Sequence, residues 1–337
     1  MNAINNQKYN LQKSPVWKLI LNDLLLICAI LGTFVYFHLF RQEVSDIVPD
    51  AGTAISGTAT SESGTASGTD AGITDEYENS VFTRDVIITD SSYTSPNVSV
   101  EIIDGTCTTE KGEDAVYHLA DIYVKDITLL RTVFADDKYG KYVNEETPHM
   151  AERTGAICAI NGDYYGMTWG TMIIRNGVLY GSELKSKDVC VLYLDGTMTT
   201  YKADEFNGSA EIEKGAWQAW SFGPGLLDAN GNPIENFSSH VKKSNPRTVI
   251  GYFEPGHYGF ITVDGRQSTS AGLTLRELSA LCAELGMKCA YNLDGGQTSV
   301  MTFMDRIANS PYNGGRVCSD FVCVFDSTSA ATEAGEE

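Results

Sequence analysis

The chain is poor in basic residues: Lys and Arg number 24 against 44 Asp and Glu, a formal charge of −20 over 337 residues. A phosphate backbone is met by a basic face, so a general nucleic-acid binder is excluded. Histidine is scarce too. The 5 residues, His38, His118, His149, His240 and His257, are scattered, and none joins the polar motifs described below. That pattern disfavours a two-metal phosphodiesterase, which draws on clustered His and Asp. The 8 cysteines include no Cys-x-x-Cys pair and no Cys/His cluster at zinc spacing, which argues against a zinc site. Seven of them lie beyond Cys28, an odd number that fixes no disulfide pattern. Charged residues make up only 20% of the chain, hydrophobic ones 42% and aromatics 10%, so a disordered chain is excluded and a sizeable core is affordable.

There is a single long apolar run. Residues 1–23 carry Lys8, Lys13 and Lys18 with no acid before Asp23, and Leu24 to Phe40 then stays apolar until Arg41. At about 1.5 Å per residue this stretch spans roughly 25 Å, the short end for a bilayer, with Trp17 able to extend it at the interface. Arg41-Gln42-Glu43 follows where a cleaved leader would show small residues. An uncleaved signal anchor is therefore expected, with a cleaved signal peptide as the alternative. The lysines place the N-terminus in the cytoplasm and the remainder outside the cell. Residues 41–77, dominated between Ala51 and Thr74 by Gly, Ala, Ser and Thr, read as a flexible stalk. Residues 78–326 have the texture of one large folded domain, and 327–337 read as a disordered tail.

Within the domain, alternating apolar runs predict strands at Val98-Val100-Ile102, from Tyr123-Val124 into Ile127-Leu129, and from Val189 to Leu194. Asn176-Gly177 and Asp195-Gly196 supply the positive φ that tight hairpins need, and Glu254-Pro255-Gly256 makes a longer turn. One helix is expected from Thr274 to Leu285, with Thr274 and Glu277 as a capping box and Gly286 as the stop. A second is expected from Thr147-Pro148, cap then first-turn proline, to near Gly155. Each helix feeds a buried strand, Ala156 to Ile160 and Cys289 to Leu293, that breaks into a polar, glycine-rich turn. The fold class is α+β, a mixed, hairpin-rich β-sheet core with a few flanking helices.

Four segments gather polar groups among these strands: Asn161-Gly162-Asp163-Tyr164-Tyr165; Ser221-Phe222-Gly223-Pro224-Gly225; Asn245-Pro246-Arg247-Thr248 with Asp264-Gly265-Arg266; and Asn292-Leu293-Asp294-Gly295-Gly296-Gln297-Thr298-Ser299. Two arginines ending adjacent hairpin strands can clamp an anion, and Asp163, Asp264 and Asp294 offer carboxylates for acid, base or nucleophilic work. Each segment alone is commonly no more than a turn. Together they point to a site for an anionic or hydroxyl-rich ligand.

In this order the segments resemble the phosphodiester glycosidase family, over roughly Ala115 to Phe325. The resemblance rests on the NGDYY segment, SFGPGLL, NPRTVIG, VDGR followed by TLRELSALCAELG, and NLDGG. It departs at Gln297, where the family continues with glycine. What the resemblance implies is hydrolysis of a sugar-1-phosphodiester, such as an N-acetylglucosamine-1-phosphodiester, at the glycosidic C–O bond. Asp294 would attack the anomeric carbon or activate water, with Asp163 or Asp264 as its partner. Arg247 and Arg266 would neutralise the phosphate. Asn161 and Asn292 would bind hydroxyls or an acetamido group, alongside Gly295, Gly296, Thr298 and Ser299, and Tyr164, Tyr165 and Trp169 offer a sugar platform. No cofactor is expected to be required. The aspartates could take a divalent cation, although no spacing matches a calcium loop. Two other functions fit the same residues: a phosphodiesterase cutting P–O, and a glycan-binding envelope module without catalysis.

Overall fold

A computed structural model describes residues 45–46, 81–167, 170–184 and 188–327. The apolar run Leu24 to Phe40, the stalk from Ala51 to Thr74 and Trp169 lie outside the described residues. Among the described residues no helix is long and apolar enough to cross a membrane.

Three sheets carry the fold. The largest runs, edge to edge, through Cys289–Asn292, Arg247–Glu254, His257–Val263, Asp114–Val124, Val98–Thr108, Ser92–Thr94 and Ile87–Ile88. A five-stranded sheet orders Val178–Tyr180, Ile173–Arg175, Ala216–Trp220, Asp188–Tyr193 and Met198–Lys202. A second five-stranded sheet orders Arg306–Ile307, Met301–Phe303, Cys158–Asn161, Asp320–Val324 and Leu130–Phe134. The laddered strands pair antiparallel throughout, as the many hairpins require. Asn176 and Gly177, at φ of 50° and 78°, close the Ile173–Arg175/Val178–Tyr180 hairpin, the double positive φ for which Asn-Gly is suited.

Among the described residues three α-helices flank the sheets: α1 (Thr147–Thr154), α2 (Gly208–Glu213) and α3 (Leu275–Glu284). Helix α3 starts on the expected capping box, with Thr274 Oγ1 accepting from Glu277 N and the Glu277 carboxylate accepting from Thr274 N. Its buried stripe of Leu275, Leu278, Leu281 and Cys282 packs with Val249, Ile261 and Val263 of the large sheet. Each leucine so buried contributes on the order of 2 kcal/mol. Helix α1 begins one residue earlier than its threonine suggests: Glu146 is the cap, without a side-chain bond, and Thr147 is already helical. The Ile127–Leu129 stretch, expected as strand, is a 3-10 turn because Asp126 accepts from Thr128 N and ends the extended run. Helix α2, capped by Asn207, escaped the sequence reading because its six residues are too few for a periodic stripe.

The main core is shared by all three sheets. Tyr258, Phe260 and Tyr291 of the large sheet meet Cys190, Leu192 and Trp220 of one smaller sheet, and Ile160, Phe303 and Val322 of the other. A consequence follows for function: strand ends from three sheets are brought to one place. All seven cysteines among the described residues are free.

Candidate active site

The strand Cys158–Asn161 runs into Gly162-Asp163, and the strand Cys289–Asn292 runs into Leu293-Asp294. Asn161 ties the two ends together. Its amide nitrogen donates to the Asp294 carbonyl at 2.7 Å and to the Gly162 carbonyl at 3.1 Å, while its oxygen accepts from Thr248 Oγ1 at 2.7 Å. With no exposed surface, Asn161 fixes the site from behind and has no group left for a sugar. Asn292 is equally enclosed and donates to the Gly223 carbonyl. Both amide nitrogens hold backbone and neither residue lines the cavity, which is not the ligand-binding placement expected of them, although Asn292 Oδ1 is buried without a partner.

Asp294 is the carboxylate that reaches open space. Its Oδ1 accepts from Gly295 N at 2.9 Å and its Oδ2 from Thr298 Oγ1 at 2.7 Å and Arg316 Nη2 at 3.1 Å. Burial pushes its pKa above the ordinary carboxylate value, with Thr298, Arg316 and Gly295 opposing and Asp163 adding to the rise. The glycines beside it serve close approach. A Cβ at Gly295 would sit 2.8 Å from the Pro246 carbonyl, and Gly296 holds φ of 72° while donating to that same carbonyl.

Asp163 stands beside Asp294 in a different state of solvation. Its carboxylate is fully enclosed and accepts from Tyr165 N and Ser221 N. Arg175 Nη2 lies 2.9 Å from it and 2.6 Å from Asp320. Arg175 also donates through Nε to Asp320 and through Nη1 to the carbonyls of Ile174 and Ala219. Burial opposes the guanidinium charge, but Asp163 and Asp320 more than offset it and hold the Arg175 pKa above its ordinary value. One cation for two carboxylates leaves a buried excess of negative charge, and burial together with Asp163 pushes the Asp320 carboxyl up despite Arg175. The positive charge among these aspartates is thus a guanidinium. Among the described residues no group of three or more His, Cys, Asp or Glu is placed to hold a metal ion.

Asp163 and Asp294 line a cavity of about 130 Å³, with Arg175 and Asp320 behind its wall. Asp163, Asp294, Thr298, Arg316, Asn144 and Ser319 supply its polar wall, and Tyr164, Met167, Val317 and Cys318 its apolar one. Arg316 is 44% exposed along its side chain and lies 6.0 Å over the Tyr164 ring. Ser319 Oγ donates to Asn144 Oδ1 at 2.9 Å. Two carboxylates, a guanidinium, two hydroxyls, an amide and an aromatic face around one small cavity suit a polar ring that carries an anionic substituent.

Five other sequence candidates lie elsewhere. Arg247 is 2% exposed; its Nε and Nη2 donate to the carbonyls of Leu273, Val241 and Lys243, and burial pulls its pKa down to about 10. It braces a loop and does not line the cavity. Arg266 bonds Asn245 Oδ1 and faces the Tyr312 ring at 5.4 Å, outside the cavity lining. Asp264 accepts from Asn309, Ser310 N and His118, so a histidine does join the motifs after all, across a strand pair. Ser299 is buried, with Oγ unpartnered and away from the lining. Tyr165, with 3% exposure, packs among Phe134 and Tyr139 as core, and Gln297 turns its amide to the Gly315 carbonyl, leaving the cavity open.

The residues that the sequence reading missed are Arg316, Arg175, Asp320, Asn144 and Ser319. Two had a legible signal: Arg175 ends the apolar Ile173-Ile174 pair at a hairpin, and Asp320 opens the apolar run to Val324, and a charge inside a buried strand needs a partner. Arg316 follows Asn313-Gly314-Gly315, with nothing local to link it to an aspartate 22 positions earlier.

Comparison with known proteins bears on the family and the fold. Residues 154–325 match the family model described as phosphodiester glycosidase. A Bacillus subtilis relative, the SPbeta prophage-derived uncharacterized protein YomE, is 29% identical over 185 residues; the match covers 52% of this chain and only 29% of that protein's length. The zebrafish N-acetylglucosamine-1-phosphodiester alpha-N-acetylglucosaminidase catalytic domain, auto-inhibited by its pro-peptide, shares the fold at a TM-score of 0.56 and 18% identity, covering 72% of this chain and 88% of that one. The chain belongs to the phosphodiester glycosidase family.

Proposed function

We propose that this protein hydrolyses a sugar-1-phosphodiester at the glycosidic C–O bond, releasing free sugar and a phosphomonoester. The observation that carries the reading is the pairing, in one cavity, of the partly exposed Asp294 carboxylate with the Arg316 guanidinium at 3.1 Å. A phosphomonoester is a good leaving group, so neutralising its charge matters more than protonating its oxygen. Arg316 supplies that charge where it develops. Asp294, made more basic by burial, attacks the anomeric carbon directly or takes a proton from the attacking water. In the balanced reaction the water oxygen ends on the anomeric carbon, the C–O bond breaks toward phosphate, and the second water hydrogen remains on the new sugar hydroxyl. Asp163, held by Ser221 N, Tyr165 N and Arg175, keeps the adjoining strand end in register and contributes a fixed negative field against which positive charge on the ring is stabilised. Asn144, Ser319 and Thr298 face the sugar hydroxyls, and Tyr164 offers its ring face. Reading Leu24 to Phe40 as an anchor, we place the action on cell-envelope or extracellular glycans.

Hydrolysis of an N-acetylglucosamine-1-phosphodiester in oxygen-18 water, followed by mass spectrometry, tests this. Label in the sugar, abolished by Asp294→Asn, is the expected result. Label in the phosphate would mean P–O cleavage and would reject the mechanism.

A further inference from the structure

The loop that delivers Arg316 has little of its own to hold it. It contains a 3-10 turn, Tyr312–Gly314, with no buried residue, and Asn313, Gly314 and Gly315 all at positive φ. Backbone of this kind is costly to order and supplies no apolar anchor. Side chains from two other segments hold it instead. Asp264 Oδ1 accepts from Asn309 Nδ2 at 3.0 Å and from Ser310 N at 3.1 Å. Gln267 Nε2 donates to the Ser310 carbonyl at 2.6 Å, and Gln297 Nε2 donates to the Gly315 carbonyl at 2.9 Å, immediately before Arg316. Asp264 is itself braced from behind, its Oδ2 lying 3.1 Å from His118 Nε2, while His118 Nδ1 lies 2.6 Å from Asp104.

We propose that Asp264, Gln267 and Gln297 are positioning residues that pin the 309–316 loop at both ends and so register the Arg316 guanidinium on Asp294 and on the substrate phosphate. The part concerning phosphate rests on the function proposed above; the registration on Asp294 does not. None of the three lines the cavity, so each acts through the loop. Losing one neutral hydrogen bond from the pinned state corresponds to roughly a fivefold change in its population.

The test uses the full-length protein with Gln297→Ala and Gln267→Ala; Asp264→Asn is added but is not decisive, because a buried carboxylate substitution risks misfolding. Two readouts need no substrate: hydrogen exchange of peptides covering 309–316, and the titration midpoint of the Asp294 carboxyl by carbon-13 NMR. We expect Gln297→Ala to raise exchange selectively in that loop, and to raise the Asp294 midpoint in the wild-type background but not with Arg316→Ala. The third readout is kcat/KM on a sugar-1-phosphodiester, expected to fall roughly fivefold with Arg316 present and to change less than about twofold in the Arg316→Ala background. Unchanged exchange, or equal shifts in both backgrounds, would overturn the proposal. A wild-type protein without turnover would reject the proposed function, while the exchange and titration data would still decide whether the loop is pinned for Arg316.

Discussion

Replacing Arg316 by alanine separates a group that works on a ligand from groups that hold the fold. In the free protein its Nη2 contacts Asp294 Oδ2 and Thr298 Oγ1, but 44% of the side chain meets solvent. A pair so exposed contributes at most about 1 kcal/mol to folding, so the denaturation midpoint should barely move. In the proposed reaction its value is larger. A donor aimed at developing charge is worth about 3–4 kcal/mol in an enclosed site, and screening in this half-open cavity reduces that to about 2 kcal/mol. At 1.36 kcal/mol per tenfold, kcat/KM for a sugar-1-phosphodiester should fall about 30-fold. Arg316→Lys keeps the charge but not the planar fork, and should recover part of the loss. Arg247→Ala should show the reverse: a buried guanidinium that holds the carbonyls of Leu273, Val241 and Lys243 is lost, costing about 1–3 kcal/mol of stability. Urea titration and steady-state kinetics on both variants provide the assay. Wild-type-like kinetics in Arg316→Ala, combined with a stable but inactive Arg247→Ala, would refute the assignment and restore Arg247 as the phosphate group.

Four further outcomes are expected. Because burial raises the Asp294 pKa, the acid limb of kcat/KM should lie above the usual carboxylate value of about 3.9 and move higher in Arg316→Ala; a limb at the unshifted value contradicts the role. The same shift means the fold favours neutral Asp294. Asp294→Asn should therefore raise Tm at pH 7, and the gain should disappear once the pH falls below about 3.9, where the acid is protonated folded or unfolded. Burial disfavours the charge on His118, but Asp264 and Asp104 more than offset it and raise its pKa. Its stabilising contribution is thus complete below about 6.5 and lost as the pH climbs through the folded value, so the Tm gap between wild type and His118→Gln should narrow from pH 5.5 to 9, and a constant gap would rule this out. Gly162→Ala would drive its methyl into the Asp320 carboxylate and should cost about 1–3 kcal/mol in a denaturant titration.

The elements that were legible in the sequence are those whose cause is local. Thr274 and Glu277 are three residues apart and complete their capping box within one turn; Asn176-Gly177 adopts its positive φ because those two residues tolerate it. The Asn-Gly-Asp and Asp-Gly-Gly turns after buried strands were visible for the same reason, and they led to Asp163 and Asp294, which the fold does place in one cavity. Arg247 and Arg266 were read as a clamp because they end adjacent hairpin strands, but strand adjacency does not say which groups a long side chain will meet. Arg247 found the carbonyls of Leu273, Val241 and Lys243 in its own neighbourhood, partners that no pattern along the strand announces.

By itself, then, the sequence determined the antiparallel hairpins, the two longer helices and the turns that present carboxylates, since each depends on residues a few positions apart. Only the tertiary structure decided which charges share the cavity. Arg175 meets Asp320 across 145 positions, Asp163 accepts from Ser221 across 58, and Arg316 reaches Asp294 across 22. Such pairings are set by how three sheets pack around Trp220, Tyr258 and Ile160, and a free energy that arises from burial and long-range contact leaves no periodic trace along the chain.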